Sequence, residues 1–337
     1  LLSPETRDRI LQVAASLKYR PNRLVNGVIY GRVPIIGVVM NSLKASFMSE
    51  LLGGIFKSSA SHDYSCLIYD AVRDVVKEVN ALRQCLEHRL SGIIYYPTDL
   101  ASQEKTEILA EIDDLGIPMV YLMDSAQHGG ESPLVANDDF QGAFSAVSHL
   151  IELGHRKILH LMGTHTGYRT SDERLRGYLE AHTSAGLKVR KSLLKPGGFG
   201  PAEQTERILA QLESQAGGRP YTAIFAAGDH AAMSAIRFFQ RKGVRVPEEV
   251  SVVGFGDLEA SDRISPALTT VNQNFEELGL RAAEICIRGA KREPLDPDLL
   301  QAVPVRLIVR ESSGPPPKST GASAPRSKAG RARKTNR

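Results

Sequence analysis

The sequence predicts an α/β chain in which two lobes, each built on a doubly wound parallel sheet, follow the remnant of an all-α head. Three observations predict it. Short runs rich in Val, Ile, Leu and Tyr recur along the chain, and amphipathic helical patterns fill most of the gaps between them. Residues 33–311 are also too many for one compact five-stranded sheet, so two lobes are the better count.

In chain order, Ser3 is a good N-cap, Pro4 suits the first helical position, and Glu5 puts negative charge in the first turn, so a helix starts at Pro4. Ile10, Val13, Ala14 and Leu17 follow at helical spacing and form one apolar stripe that needs a partner surface. Pro21 pushes Arg20 out of the helical region and ends the helix near Tyr19. The segment that follows carries Gly27 with β-branched Val25, Val28 and Ile29, so it should order only against something else. Strands are then expected at 35–40, 66–69, 92–96, 119–122, 157–162, 223–225 and 251–254, each short and apolar as buried parallel strands are. Helices are expected at 47–61, 74–89, 102–115, 140–153, 172–185, 201–212 and 229–241. Their alternation implies right-handed βαβ units, with a small-ligand cleft between the lobes at the carboxyl ends of the strands. At one helix end, Gly154-His155-Arg156-Lys157 would complement the negative end of the macrodipole.

Composition narrows the classes. The chain has 337 residues, 42% of them hydrophobic, and no run of 18 apolar residues that could span a bilayer, which predicts a soluble protein. No basic segment leading into an apolar run opens the chain, which argues against secretion. Cys66, Cys85 and Cys286 lie far apart without a C-x-x-C spacing and read as small buried hydrophobes in a reducing cytoplasm. The net charge of +4 is segregated: residues 1–32 carry +4, residues 312–337 carry +7, and the body between carries −7. Positive ends on a negative body suit a polyanion held at the edges. The tail at 312–337 is rich in Pro, Gly, Ser and Ala and is expected to be disordered, either as a solvated tail or as a nonspecific nucleic-acid contact. There is no phosphate-binding G-x-x-x-x-G-K-[ST], no G-x-S-x-G and no H-E-x-x-H, and Gly254-Phe255-Gly256 fails as a dinucleotide loop because Glu259 stands at the third glycine. No catalytic residue, metal ligand or cofactor is therefore assigned.

Several segments, in order, are similar to the LacI/GalR family of bacterial transcription regulators: Ser3-Pro4-Glu5-Thr6-Arg7, Tyr19-Arg20-Pro21-Asn22, Ile36-Gly37-Val38-Val39, Ser91-Gly92-Ile93-Ile94, Arg174-Leu175-Arg176-Gly177-Tyr178, Val252-Val253-Gly254-Phe255 and Ser265-Pro266-Ala267-Leu268. The resemblance runs over residues 2–311 and implies a periplasmic-binding-protein-like body. It divides the chain into the last helix of a truncated helix-turn-helix head (1–22), a hinge (23–33), the effector-binding and dimerisation body (34–311) and the tail (312–337). The first lobe would take about 34–137 and 271–290, and the second about 138–270 and 291–311. The base-reading helices of such a head would precede Leu1.

By the same resemblance, Ser3, Thr6, Tyr19 and Asn22 match positions that contact phosphates, with packing on the helix stripe as the other reading of Tyr19. Val28 holds the place of the apolar wedge that enters the minor groove, and Ile29 could share it; Gly27 raises the cost of that helix by up to ~1 kcal/mol relative to Ala. Arg174 matches an arginine that grips effector hydroxyl or carboxylate groups, its other reading being an exposed helix-start arginine. Phe47, Phe199 and Phe275 match aromatic walls of the effector cleft, and each could instead be core. Gly228 and Gly256 stand where the family commonly has Asn and Asp. That points to a roomier site for an effector larger than a simple sugar or placed differently from one, with Asp229 and Asp257 as the nearest polar substitutes. The expected protein is a cytoplasmic homodimeric repressor that binds operator DNA under control of a small-molecule effector, a sugar or related metabolite. The competing class is a periplasmic-type sugar-binding protein without DNA binding.

Overall fold

A computed structural model describes residues 3–19, 32–98, 100–123, 132–163 and 168–318. Helix α1 (Pro4–Ser16) starts where expected: Ser3 Oγ accepts from the Thr6 N–H at 3.3 Å and sits 2.9 Å from Thr6 Oγ1. Its stripe is uncovered among the described residues, with Ile10 and Val13 about half exposed and Leu17 73% exposed. Asn22, Val28 and Ile29 lie outside the described residues.

The first sheet runs β2 (Ser65–Asp70), β1 (Val33–Met40), β3 (Leu90–Tyr96), β4 (Met119–Leu122), β5 (Leu134–Val135), all parallel. Ile36 pairs with both Cys66 and Gly92, which makes β1 an interior strand. Helices α2 (Met48–Ser61), α3 (Val75–Glu87) and α4 (Gln103–Asp114) connect the strands. Asp74 caps α3 through the N–H groups of Val76 and Lys77, and Ser102 caps α4 through that of Lys105.

The second sheet repeats the plan: β7 (Leu194–Pro196), β6 (Ile158–Met162), β8 (Ala223–Ala226), β9 (Ser251–Val253), again parallel. Helices α5 (Asp139–Glu152), α6 (Arg169–Ser184), α7 (Ala202–Gln215) and α8 (Asp229–Arg241) belong to it. In both sheets the second strand lies outside the first and the third lies inside it, so each lobe has a topological switch point beside its first strand.

The chain passes between lobes three times. After β10 (Thr270–Asn272), helix α9 (Phe275–Lys291) packs on α2 so closely that a Cβ on Gly54 would fall 2.0 Å from the Glu276 carbonyl oxygen, and one on Gly279 2.1 Å from that of Leu51. Leu295, Leu299 and Val303 remain in the first lobe's core, while Val305 and Leu307 pack on the second. The return therefore comes after Val303, later than the boundary near residue 290 expected from the sequence. Strand β11 (Arg306–Ile308) then pairs antiparallel with β10.

Two further expectations change. Residues 312–314 are docked: the Val252 N–H donates to the Ser312 carbonyl at 2.8 Å, Ser312 Oγ donates to the Val252 carbonyl at 2.6 Å, and the Gly314 N–H donates to Ser251 Oγ at 3.0 Å. His155, expected to complement a helix dipole, is fully buried between Thr222 Oγ1, Ser251 Oγ and the Gly314 carbonyl, and it clamps that segment. Its neighbour Arg156 does meet a helix end, donating to the Ile151 carbonyl at 2.8 Å. Cys85 and Cys286 are buried as expected, and Cys66 is half-buried with its thiol 3.2 Å from Ser59 Oγ. Among the described residues no helix is long and apolar enough to cross a membrane.

Candidate functional site: the cleft between the lobes

The carboxyl ends of both sheets meet at one place. Ser46, in the loop after β1, lies with its Oγ 2.9 Å from Nε2 of His230 in the first turn of α8, a contact that spans the two lobes. At the crossovers beside it Asn137 Nδ2 donates to the Gln273 carbonyl.

The first lobe's contribution is aromatic. The rings of Phe47 and Phe275 stack at 4.5 Å with planes 14° apart, and Tyr96 at the end of β3 lies 6.5 Å from Phe47. Phe275 is the first residue of α9 and is 2% exposed, and Phe47 packs against the first lobe's core. Both phenylalanines thus have the core contacts of the plainer reading, arranged as one stacked pair at the strand ends.

The second lobe's contribution is charged. Arg174 is 3% exposed, which removes the exposed-arginine reading. Its Nε donates to Asp139 Oδ1 at 2.8 Å, Nη2 reaches the same oxygen at 2.8 Å, and Nη1 donates to the Ala227 carbonyl at the end of β8. The guanidinium lies 3.8 Å from the centroid of Phe255 and 5.5 Å from that of Phe199. Burial raises the Asp139 carboxyl above the usual range, while the guanidiniums of Arg174 and then Arg169 pull against that rise. Phe199 is 44% exposed, and its ring sits between two glycines: Cε2 lies 2.8 Å from where a Gly163 Cβ would be, and Cδ1 3.5 Å from that of Gly228.

Asp229 and Asp257 lie near the strand ends, and their oxygens are occupied. Asp229 is 1% exposed and accepts from the Leu258 N–H at 3.0 Å, Ser261 Oγ at 2.7 Å and Thr270 Oγ1 at 2.5 Å. Burial raises its carboxyl, and those hydrogen bonds oppose the rise. Asp257 pairs with Arg310 at 2.7 Å and accepts from Asn272 Nδ2 at 2.8 Å. Both carboxylates fasten the 254–261 loop to the crossovers instead of offering free acceptors. The roomier site expected from the glycines also changes: Phe199 covers Gly228, and Gly256 adopts φ +149°, a backbone state that side chains rarely take, with Asp229 Oδ2 3.2 Å from its Cβ position.

Sequence reasoning missed Asp139, Phe255, Ser46 and His230. Asp138 caps α5 through the Gln141 N–H at 3.0 Å, and Asp139 in the first turn beside it carries no local signal that sets it apart from an ordinary helix-start acid. On α1, Ser3 and Thr6 are exposed and engaged with each other, and Tyr19 is 64% exposed.

Two doubly wound lobes joined by three crossovers, with a charged and an aromatic wall at facing strand ends, define a two-lobed binding domain of the periplasmic-binding-protein-like class. The family model of that description, the periplasmic binding protein-like domain, matches residues 147–313. The HTH-type transcriptional repressor PurR of Photobacterium profundum is 30% identical over 313 residues, covering 91% of this chain and 89% of that protein. A transcriptional regulator CelR–cellobiose complex superposes with TM-score 0.74 at 26% identity, and a lac repressor dimer bound to operator and an anti-inducer with TM-score 0.75 at 25% identity; each covers 93% of this chain and 92% of the other. The chain belongs to the LacI/GalR family of transcription regulators.

Proposed function

We propose that this protein is a cytoplasmic, homodimeric repressor rather than an enzyme, in which a small-molecule effector, a sugar or related metabolite, seats between the lobes and sets operator affinity. Residues 1–22 are the end of the DNA-binding head and 23–33 its hinge, with Ser3, Thr6, Tyr19 and Asn22 at phosphates and Val28 or Ile29 in the minor groove. In the cleft, Arg174 and Phe199 contact the effector from the second lobe, and the Phe47–Phe275 stack faces it from the first. Asp229 and Asp257 hold the loop that shapes the site.

The observation that carries this reading is the Ser46–His230 contact, which sets the two switch points against each other with Arg174 buried beside them. A ligand that favours one angle between the lobes shifts the chain segment entering β1, and through it the hinge. Support for the effector and DNA comes from the relatives, one solved with cellobiose and one on its operator.

The test is fluorescence anisotropy of the gene product, as encoded, on the duplex upstream of its own gene. The expected result is binding that weakens with rising salt and changes at least fivefold when a cleft ligand is added. Indifference to duplex DNA at low salt, with and without ligands, would overturn the reading in favour of a sugar-binding protein without DNA binding.

A further inference from the structure

We propose that Arg32 is the positioning residue through which the state of the lobes reaches the DNA-binding arm: its guanidinium clasps the turn at 115–118, and α9 moves that turn. This rests on the regulator reading above and goes further by naming the bond that couples the arm and the helix that acts on it.

Arg32 stands just before β1, and its side chain reaches past β3 to the turn that leads into β4. Nη2 donates to the Leu115 carbonyl at 2.8 Å and to the Gly116 carbonyl at 3.2 Å, and Nη1 donates to the Gly116 carbonyl at 3.2 Å. Those carbonyls follow the end of α4, at the negative pole of its peptide dipoles. Asp113 and Asp114 stand in the last turn of α4 and no basic residue does, so Arg32 supplies the cation that the helix lacks. The backbone beside it is held as well. The Val33 N–H donates to the Arg89 carbonyl at 3.1 Å, and Ser91 Oγ donates to the Val33 carbonyl at 2.5 Å. Together these bonds fix the point from which the preceding segment departs.

The same turn is braced from its other side by α9. A Cβ on Gly289 would fall 2.9 Å from Pro118 Cβ, and one on Gly92 would fall 2.6 Å from Cys286 Sγ and 3.2 Å from the Pro118 carbonyl oxygen. Helix, strand and turn leave no space between them, so a shift of α9 towards Pro118 displaces the turn. Charge acts in the same direction. Burial lowers the Arg32 guanidinium below its usual range, and the positive charge of Arg292, the cap residue after α9, lowers it further. Advancing α9 therefore weakens the clasp, and withdrawing it strengthens the clasp. The other end of α9 is Phe275, in the ring stack at the cleft, so one helix of 17 residues spans about 25 Å from the cleft wall to the clasp. The guanidinium supplies the two discrete arrangements that such coupling needs, bonded to the turn or released into solvent.

The experiment is a double-mutant cycle, read by fluorescence anisotropy of the gene product, as encoded, on the duplex upstream of its own gene. Gly54→Ala displaces α9 near the cleft without any ligand, because the new Cβ meets the Glu276 carbonyl oxygen at 2.0 Å. It should change operator affinity about threefold or more when Arg32 is present and leave it unchanged in the Arg32→Gln background. Gly53→Ala should change nothing in either. Arg32→Gln alone should weaken binding about fivefold with the salt slope of the unaltered protein, whereas loss of a phosphate contact would lower that slope by about one. Arg32→Lys should recover part of the affinity, since a compact ammonium lacks the planar fork that spans two carbonyls. Hydrogen exchange reads the step between: Gly54→Ala should alter protection of Gly116, Ile117 and residues 289–293 and leave α7 as it was. Ser46→Ala, a milder displacement at the cleft, replaces Gly54→Ala should that variant fail to fold. An equal effect in both backgrounds, no effect in either, unchanged exchange at Gly116 and Ile117, or a salt slope lowered by one overturns the inference. Duplex binding by the unaltered protein beside any of these results removes this inference alone, and absence of duplex binding removes the regulator reading and this inference together.

Discussion

The two lobes each bury one ion pair almost completely among the described residues, and they finish it differently. In the first lobe Glu78 and Lys105 are 0% and 1% exposed. Glu78 Oε1 accepts from Tyr95 Oη at 2.7 Å and from the Thr98 N–H at 2.8 Å, and Oε2 accepts from Thr98 Oγ1 at 2.5 Å and faces Lys105 Nζ at 3.3 Å. Lys105 Nζ also donates to the carbonyls of Thr98 and Leu100. Every site on both groups is used. In the second lobe Asp139–Arg174 stands beside Arg169 Nη1 and Ser171 Oγ, and all five buried side-chain polar atoms without a hydrogen-bond partner among the described residues belong to that lobe. A completed network fixes a scaffold, whereas an incomplete one leaves bonds that a ligand can make.

The largest effect that would sharpen this contrast comes from opening the completed pair. Lys105→Met leaves Glu78 buried without its cation and should destabilise the protein by about 3–5 kcal/mol, read as a lower urea midpoint. Arg169→Gln in the second lobe should leave that midpoint nearly unchanged. Equal losses for the two would erase the distinction.

Acid should separate the lobes next. His149, His155, His160 and His182 all lie in the second lobe, and burial lowers each of them, His160 to about 4 from 6.5. His160 is stacked between Tyr178 at 5.0 Å and Phe225 at 4.8 Å. A depressed histidine stays neutral in the fold while the unfolded chain takes up a proton, so stability is full above pH 6.5 and falls as pH drops from 6.5 towards 4. His160 alone should account for about 3 kcal/mol at the lower end. Hydrogen exchange between about pH 7 and pH 4 should show second-lobe amides losing protection first. Simultaneous loss in both lobes would count against a difference located in these groups.

The same contrast explains what the sequence made legible. Each of the seven predicted strands and eight predicted helices has an observed counterpart shifted by a few residues at most, because buried β-branched runs and capped amphipathic patterns are local signals. Strands β5 and β7 are two and three residues long, too short to show a period. Helix α9 lacked a start signal: its cap is Asn274 at φ 51° with no side-chain cap hydrogen bond. The stacked phenylalanines could be named from the family resemblance, but whether they were wall or core needed three dimensions. Buried charges were least legible. Lys105 on a helix reads as a solvated face, and nothing local couples it to Glu78; Asp229 looked like a free ligand group until Ser261 and Thr270 were found on it.

A packing change would test whether the first lobe is as rigid as its polar network suggests. Gly54→Ala places a methyl where the Glu276 carbonyl oxygen now sits, 2.0 Å from the new Cβ, so α2 and α9 must separate. The expected loss is about 1–3 kcal/mol in thermal unfolding. Gly53→Ala, with nothing within 4 Å of its Cβ position, supplies the reference and should be neutral or slightly stabilising in the same helix.

The smallest effect concerns the contact that joins the lobes. Ser46→Ala removes a single exposed hydrogen bond to His230, worth about 0.5–1.5 kcal/mol at most, and should barely move Tm. Its influence belongs on the equilibrium between lobe angles, where about 1.4 kcal/mol is a factor of ten in population. Small-angle scattering of the unliganded variant should show a more open particle, and cleft ligands should bind more weakly because closure must then be driven by the ligand alone. An unchanged scattering profile with unchanged ligand affinity would mean that the crossovers at Asn137 and Asn272 hold the lobe angle without help from this bond.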